Sequence, residues 1–233
     1  MNSNKNTPRF LGAAFLIVAF AALISGILLM SVVGSGSISD TLVNISHKPN
    51  LMRISILGWL VTSSAIVVLA GLLYAVLNNQ NRNIALIALA WWLAEAIFLA
   101  LSQIGSLALI PLSLDLVQSG VPVHSFYQTL GEFLYKGVYS QGLMIHMWFY
   151  CIGGLLWYYL FFKSRYIPRV IPLWGLIAVS VALVGIVFEL FGYNVSIFVY
   201  LPILPFELTI GVWLMLRGIR DSSGRWGERA AAS

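Results

Sequence analysis

Six long apolar segments constrain the fold of this chain more than any other feature of its sequence. A helix needs about 20 mostly apolar residues to cross the hydrocarbon core of a membrane. The segments cover residues 10–33, 54–77, 84–110, 138–162, 170–192 and 197–216. None of them alternates as a barrel strand does, and backbone in lipid must satisfy its own hydrogen bonds. We therefore predict an all-α, polytopic membrane protein: one domain over residues 1–233, built as a bundle of six transmembrane helices.

The composition agrees with that class. Apolar residues make up 60% of the chain and charged residues only 9%, whereas a soluble domain has about 25% charged residues. This deficit excludes a water-soluble globule, a disordered chain and a nucleic-acid-binding domain. The formal net charge of +5 therefore has to be explained by where the charges lie, and we expect no nucleic-acid partner.

The basic residues indicate the orientation of the spans. Lys48, Arg53 and Lys136 fall on one side of the predicted spans, and the other ten of the 13 basic residues fall on the opposite side. Because basic residues concentrate in cytoplasmic loops, both termini should be cytoplasmic. The first run is longer than a signal-peptide core, so we expect it to be retained. We predict a multi-pass protein of a cytoplasmic membrane, with a basic tail over 217–233 that contacts anionic lipids.

Two longer connecting segments, 34–53 and 111–136, should lie on the outer side. The stretch 39–46 of the first segment can form a helical turn. In the second segment, Ser125 to Gln128 fits a helix capping box. Apolar residues then recur at helical spacing, at Phe126, Leu130, Phe133 and Leu134. We expect short outer-face helices there, acting either as a connector or as a lid over an outward-facing cavity.

Polar side chains at membrane depth are the candidate functional residues. Ionisable groups within a bilayer cost free energy, so each is a candidate for ligand binding or proton relay. The candidates are Glu95, Gln103, Gln141, His146, Tyr150, Glu189 and Glu207. The alternative is that these groups join helices through hydrogen bonds, worth about 0.6 kcal/mol each in membranes.

The depth of each candidate follows from the rise along a helix. Counted from the cytoplasmic ends, Glu207 lies at about 14 Å and Glu95 at about 17 Å. His146 follows at about 24 Å, and Glu189 and Gln103 at about 29 Å. The lower pair, Glu207 and Glu95, could therefore lie at one level of the bundle, and the upper group, Glu189 and Gln103, at another.

Prolines precede one of these glutamates. Pro202 and Pro205 each remove a backbone donor and disturb the carbonyl four residues earlier, at Phe198 and Leu201. We expect a kink one turn before Glu207, either as part of a polar pocket or as a plain bend.

The sequence gives little support for metal or redox chemistry. His146 is the one histidine within the spans, which excludes a three-histidine zinc site and a bis-histidine haem in the membrane. His146 with a glutamate is the remaining option, and we predict no metal. The single cysteine, Cys151, excludes an intrachain disulfide and should pack as a small hydrophobe. The sequence identifies no cofactor and no catalytic residue.

Two groups of motifs carry a resemblance to a known family. The first comprises His146-Met147-Trp148, Gly153-Gly154, Tyr158–Phe162, Arg165–Arg169 and Trp174-Gly175. The second comprises Pro205-Phe206-Glu207, Gly211–Leu214 and Arg217-Gly218. Over residues 8–219 the chain resembles a bacterial family of six-helix membrane proteins known as a domain of unknown function. The resemblance implies a six-helix integral membrane protein and supplies no activity.

The function we favour is binding of a lipid, a quinone or another apolar small molecule in a polar-lined pocket. The ligand would enter from the outer half of the bundle, and the 111–136 segment would cover it. The side chains that would orient its polar end are Glu95, His146, Glu189 and Glu207.

Three other functions stay open. The chain could be an accessory subunit of a larger membrane complex. It could be a proton-coupled transporter, in which the buried carboxyls cycle protons and the protein forms a homo-oligomer. It could also be an enzyme that modifies lipids with a pair formed by His146 and a glutamate as acid and base.

Overall fold

The computed structural model describes residues 7–119 and 126–220. Within these ranges every regular element is a helix, which confirms the all-α prediction. The α-helices are α1 (Thr7–Val33), α2 (Ile38–His47), α3 (Pro49–Leu77), α4 (Arg82–Ser119), α5 (Phe126–Glu132), α6 (Gln141–Ser164), α7 (Val170–Leu190) and α8 (Ile203–Arg217). A π-helix (Phe133–Ser140) joins α5 to α6, and a 3₁₀-helix (Ile197–Val199) precedes α8.

Among the residues that the structure describes, six helical segments are long and apolar enough to cross a membrane, as predicted. They are Thr7–Val33, Pro49–Leu77, Arg82–Ser119, Phe126–Ser164, Val170–Leu190 and Ile197–Arg217. Large apolar side chains are exposed along them, among them Ile17, Val68, Ile97 and Ile177. Water would not tolerate so much exposed apolar surface, and lipid does. The chain is a multi-pass membrane protein.

Helix α2 forms in the first connecting segment and extends the predicted turn at 39–46. Ser37 and Asp40 make a reciprocal capping box: the amide of Ser37 donates to Oδ2 of Asp40 over 2.8 Å, and Oγ of Ser37 accepts from the amide of Asp40 over 3.3 Å. The hydrogen bonds from Ser37 lower the pKa of the Asp40 carboxyl below its ordinary value of 3.8. Leu42 and Ile45 on the opposite face are fully buried and hold the helix against the core.

Helix α4 continues past the predicted end of the third span at residue 110. Pro111 lies inside the helix, although a proline normally ends or kinks one by removing a hydrogen bond. The flanking side chains of Leu109, Ile110 and Leu112 are buried in an apolar cluster. We attribute the continuation to this burial, which offsets the missing backbone bond.

The second connecting segment differs from the prediction. The capping residue Ser125 lies outside the described residues, and the helical chain runs without interruption from Phe126 to Ser164. The fourth span therefore does not start afresh near residue 138, which lies inside the π-helix. Of the predicted apolar face, Leu130 and Leu134 pack against the core, whereas Phe126 and Phe133 are exposed.

The prolines before Glu207 start a helix and do not kink one. The chain leaves the 3₁₀-helix at Val199 and begins α8 at Ile203, with Pro202 as its N-cap. Pro205 then lies in the first turn of α8, where a backbone donor has no helical partner to lose. The expectation of a kink was wrong for this reason.

The contacts divide the chain into two compact units. The first contains the described residues of Met1–Ala19, Ala65–Glu95 and Met147–Ser233. The second contains those of Phe20–Ser64 and Ala96–His146. Helices α1, α3, α4 and α6 contribute residues to both. The single domain over 1–233 stays a prediction.

The second unit has an apolar core to which α2 and the π-helix contribute buried residues. Its buried members are Leu29, Val32, Val33, Leu42, Ile45, Met52, Ile56, Leu109, Ile110, Leu112 and Tyr139. Helix α4 and the π-helix approach each other closely in this unit. A Cβ at Gly105 would lie 2.7 Å from the carbonyl oxygen of Leu134. Small residues let transmembrane helices approach in this way.

In the first unit, α1 packs against α8 at two glycines. A Cβ at Gly12 would lie 2.6 Å from the carbonyl oxygen of Gly211, and a Cβ at Gly211 would lie 2.8 Å from Leu16. Both backbones are therefore in contact, and neither position has room for a side chain. This contact holds the first span beside the last one, which carries Glu207.

Candidate functional site

The site is built around a hydrogen bond between helices α6 and α8. The hydroxyl of Tyr150 donates to Oε1 of Glu207 over 2.9 Å. The hydroxyls of Tyr150 and Tyr158 lie 3.3 Å apart, and either can donate to the other. Three oxygen-bearing side chains from two helices thus form a chain of hydrogen bonds within membrane-spanning segments.

Glu95 of α4 adds a second carboxyl to this group. Its side chain is 2% exposed, and it lies close enough to Glu207 for the two carboxyls to interact electrostatically. Tyr158 also interacts electrostatically with both glutamates. We call Glu95, Tyr150, Tyr158 and Glu207 the carboxyl–tyrosine cluster. All four belong to the first unit.

Tryptophans and a backbone hydrogen bond fix the position of Tyr150. The indole of Trp92 stacks on the ring of Tyr150 with 5.8 Å between centroids. Its Nε1 donates to the backbone carbonyl of Tyr150 over 3.1 Å. Trp157 meets Trp92 edge-on at 6.3 Å. Trp92 and Trp157 are almost fully buried. Tyr150 therefore packs against an indole that is itself held in place by its neighbours.

An aromatic contact fixes Tyr158 in a similar way. The ring of Phe206, the residue before Glu207, meets the ring of Tyr158 edge-on at 4.7 Å. Trp174 of α7 packs on the same phenylalanine at 6.2 Å. Edge-to-face pairs at these distances are favourable geometries. The helix that carries Glu207 is thus held by the same rings that orient the tyrosines.

Two glycines make room for these rings. A Cβ at Gly153 would lie 2.4 Å from Cδ1 of Trp92, and a Cβ at Gly175 would lie 2.4 Å from Cζ of Phe206. Real Cβ atoms do not approach other atoms so closely. The glycines are therefore required by the placement of Trp92 and Phe206, and through them by the cluster.

The members of the cluster differ in their access to the surroundings. Tyr158 is fully buried, Glu95 is 2% exposed and Tyr150 is 6% exposed. Glu207 is only partly buried. Glu207 is therefore the member of the cluster with the most accessible surface.

The other predicted residues are placed elsewhere. Gln103 is 1% exposed, and its Nε2 donates to Oγ of Ser102 over 2.9 Å. Gln141 is exposed at the start of α6, and His146 is half-buried one turn later. These three candidates belong to the second unit, whereas the cluster belongs to the first.

Glu189 lies near the C-terminal end of α7 and is half-buried. It interacts electrostatically with the phenol of Tyr200, which follows the 3₁₀-helix. Of the seven candidates, the structure therefore brings together Glu95, Tyr150 and Glu207.

Sequence reasoning missed two residues of the site. Tyr158 and Trp92 stand in apolar runs and read as packing residues. A signal was present for both: Trp92 precedes Glu95 by three residues, and Tyr158 follows Tyr150 two turns later on the same helix. Tyrosine at membrane depth carries a hydroxyl that needs a partner, which could have identified Tyr158.

A groove on α8 is separate from the cluster. Its volume is about 440 Å³, and its lining residues are Leu208, Thr209, Val212, Trp213, Leu216 and Arg217. None of the seven predicted candidates lines it. Within the described part of the chain, no three His, Cys, Asp or Glu side chains are grouped so as to hold a metal ion.

Comparison with known protein families gives one match. Residues 10–218 match the family described as Domain of unknown function (DUF4386). Comparison with curated proteins and with solved structures gave no match. The matched range covers both motif groups that carry the resemblance seen in the sequence. The chain is a multi-pass membrane protein that belongs to the DUF4386 family.

Proposed function

We propose that the chain is a proton-coupled membrane protein in which the carboxyl–tyrosine cluster binds and releases a proton. The observation that carries this proposal is the hydrogen bond from Tyr150 to Glu207 beside a second, buried carboxyl, Glu95. Chains of acidic side chains within spans are typical of proton relays in pumps and transporters.

The proton would be held between the two carboxyls. Two carboxylates that face each other in surroundings of low polarity repel, and a shared proton removes that repulsion. The hydrogen bond from Tyr150 stabilises Glu207 in whichever state, ionised or protonated, its Oε1 accepts the bond. Because a phenol is both a donor and an acceptor, Tyr150 and Tyr158 can pass a proton along the 3.3 Å contact between their hydroxyls.

The cluster would exchange its proton with the surroundings at Glu207. It is the one partly exposed member, and it lies in the first turns of α8, a helix that starts only at Ile203. The interruption at Pro202 separates α8 from the 3₁₀-helix. Such breaks in a spanning segment are typical of sites that bind ions or substrates.

Binding of an amphiphile, such as a lipid or a quinone, is a second candidate function. The apolar groove on α8 favours it, although the groove lies on residues other than those predicted to orient the ligand. The accessory-subunit hypothesis and the enzyme hypothesis based on His146 stay predictions. So do the cytoplasmic placement of the termini and the homo-oligomer.

A pH jump on a supported membrane tests the proposal without a known substrate. Proteoliposomes adsorbed on an electrode give a transient current when a proton binds at a site within the membrane. We expect this current for the wild type and for Glu132→Gln, a control carboxyl exposed on α5 and paired with Lys136. We expect its loss in Glu207→Gln. A wild type without current, or Glu207→Gln with an unchanged current, would overturn the proposal.

A further inference from the structure

The groove on α8 follows one face of the helix from its middle to its end. Leu208, Val212 and Leu216 line it at helical spacing, and Arg217 in the last turn closes it with a cation. From Leu208 to Arg217 the helix rises about 14 Å, which matches one leaflet of a hydrocarbon core about 30 Å thick. The groove is thus mostly apolar over a length comparable to that of one leaflet, and it ends at an arginine.

More cations lie beside that end. The turn between α6 and α7 carries the exposed Arg165 and Arg169. The backbone amide of Arg220 donates to the carbonyl oxygen of Tyr166 over 3.0 Å, which brings the residues after α8 against this turn. Arg217 and Arg220 are exposed as well. The turn and the residues at the end of α8, two segments that carry arginines, are therefore in contact with each other.

The turn is held in place by its own contacts. The hydroxyl of Tyr166 accepts a hydrogen bond of 2.9 Å from Nε2 of Gln80, and the guanidinium of Arg169 lies 5.1 Å from the ring centroid of Phe162. Arg165 has φ of 58°, a left-handed conformation that is uncommon for a residue other than glycine.

We propose that the groove on α8 binds an anionic phospholipid, with an acyl chain along Leu208–Leu216 and the phosphate at Arg217. Arg165, Arg169 and Arg220 would form the positive rim for the headgroup. Arginine matches phosphate through paired donors, and basic pockets at the membrane surface are typical sites for anionic headgroups. The apolar lining and the positive end complement the two parts of one lipid. This proposal rests on the second candidate function, binding of an amphiphile in the same groove, and is independent of the proton proposal.

Native mass spectrometry of the detergent-solubilised protein tests the proposal with phosphatidylglycerol and phosphatidylcholine as probes. We expect the wild type to retain phosphatidylglycerol in preference to phosphatidylcholine. Arg217→Ala should weaken phosphatidylglycerol binding about fivefold, the size of one surface cation's contribution. Val212→Trp should fill the groove and lower the occupancy of this lipid.

The controls lie in the second unit. Arg53→Ala removes an exposed cation, and Leu57→Trp enlarges a side chain that is 61% exposed; both should bind lipid as the wild type does. Equal retention of the two lipids would overturn the proposal, and so would equal losses in Val212→Trp and Leu57→Trp. Loss of a dimer in Val212→Trp, with lipid binding unchanged, would assign the groove to a second copy of the chain and also overturn it.

Discussion

The hydroxyl of Tyr150 donates a 2.9 Å hydrogen bond to Oε1 of Glu207, across 57 residues of sequence. The bond joins α6 to α8 inside membrane-spanning segments, and Glu95 and Tyr158 lie beside it. Around it, Trp92 and Phe206 hold the rings in place. We propose this link as a proton site, and as a buried hydrogen bond it should also contribute to stability.

Removing the hydroxyl of Tyr150 separates these two roles. Tyr150→Phe deletes the donor to Glu207 and should lower the free energy of unfolding by about 1 kcal/mol, as a typical hydrogen bond does. It should also reduce the transient current after a pH jump. Thermal unfolding in detergent and the pH-jump assay measure the two effects. Tyr159→Phe is the matched control, because Tyr159 is 43% exposed on the same helix. Lower stability with an unchanged current would assign Tyr150 a structural role alone.

Adding one methyl group at Gly153 should disturb the cluster through Trp92. The new Cβ would lie 2.4 Å from Cδ1 of Trp92, so either the helix or the indole must move. Overpacking of this kind costs about 1–3 kcal/mol. Thermal unfolding of Gly153→Ala should show the loss. Gly71→Ala is the control, since nothing lies within 4 Å of its Cβ position, and alanine there should raise helix stability by about 1 kcal/mol. Equal effects of the two substitutions would contradict the packing described for Trp92.

The capping box of α2 should make the start of that helix sensitive to acid. The pKa of Asp40 is lowered in the folded state by hydrogen bonds from Ser37, so the stability it contributes is complete above its ordinary pKa of 3.8 and is lost as the pH falls through the lower, folded value. The protection factors of the α2 amides, which compare hydrogen exchange with the intrinsic rate at the same pH, should therefore fall below about pH 4. In Asp40→Asn the protection factors should show no such pH dependence. A fall in protection that is equally large in the variant would contradict the role of Asp40.

The orientation inferred from the basic residues can be measured with single cysteines. Cys151 is buried, and replacing it with alanine gives a cysteine-free background. His47→Cys should react with a membrane-impermeant maleimide added to intact cells, because His47 is exposed on the predicted outer side. Asn79→Cys, exposed in the turn between α3 and α4, should react only after the cells are opened. The reverse pattern would place the termini outside.

The sequence predicted the fold class because one physical constraint decides it. Each apolar run must form a helix in lipid, and the runs are long enough to be recognised one by one. Two features could not be predicted, because they depend on contacts distant in sequence. Helix α4 continues through Pro111, where Leu109 and Ile110 are buried. The chain continues from α5 into α6 through the π-helix at Phe133–Ser140. Local rules for proline and for capping favour breaks at those positions.

The site was predicted in part for a similar reason. Depth along the helix placed Glu95 and Glu207 near one level, but sequence gives no order of helices. The contact of Gly12 with Gly211, which sets α1 against α8, has no local signature beyond the small side chains. Tyr158 reads as an ordinary aromatic residue until its hydroxyl is seen beside that of Tyr150.

Infrared difference spectroscopy of the reconstituted protein tests the central claim most directly, because a protonated carboxyl has a carbonyl stretching band that a carboxylate lacks. We predict that spectra taken at successive pH values show the band of a carboxyl in an apolar environment. The band should be lost in Glu207→Gln, altered in Glu95→Gln and retained in Glu132→Gln. A band that stays the same in Glu207→Gln and Glu95→Gln, or the absence of any such band in the wild type, would contradict a proton held between Glu95 and Glu207.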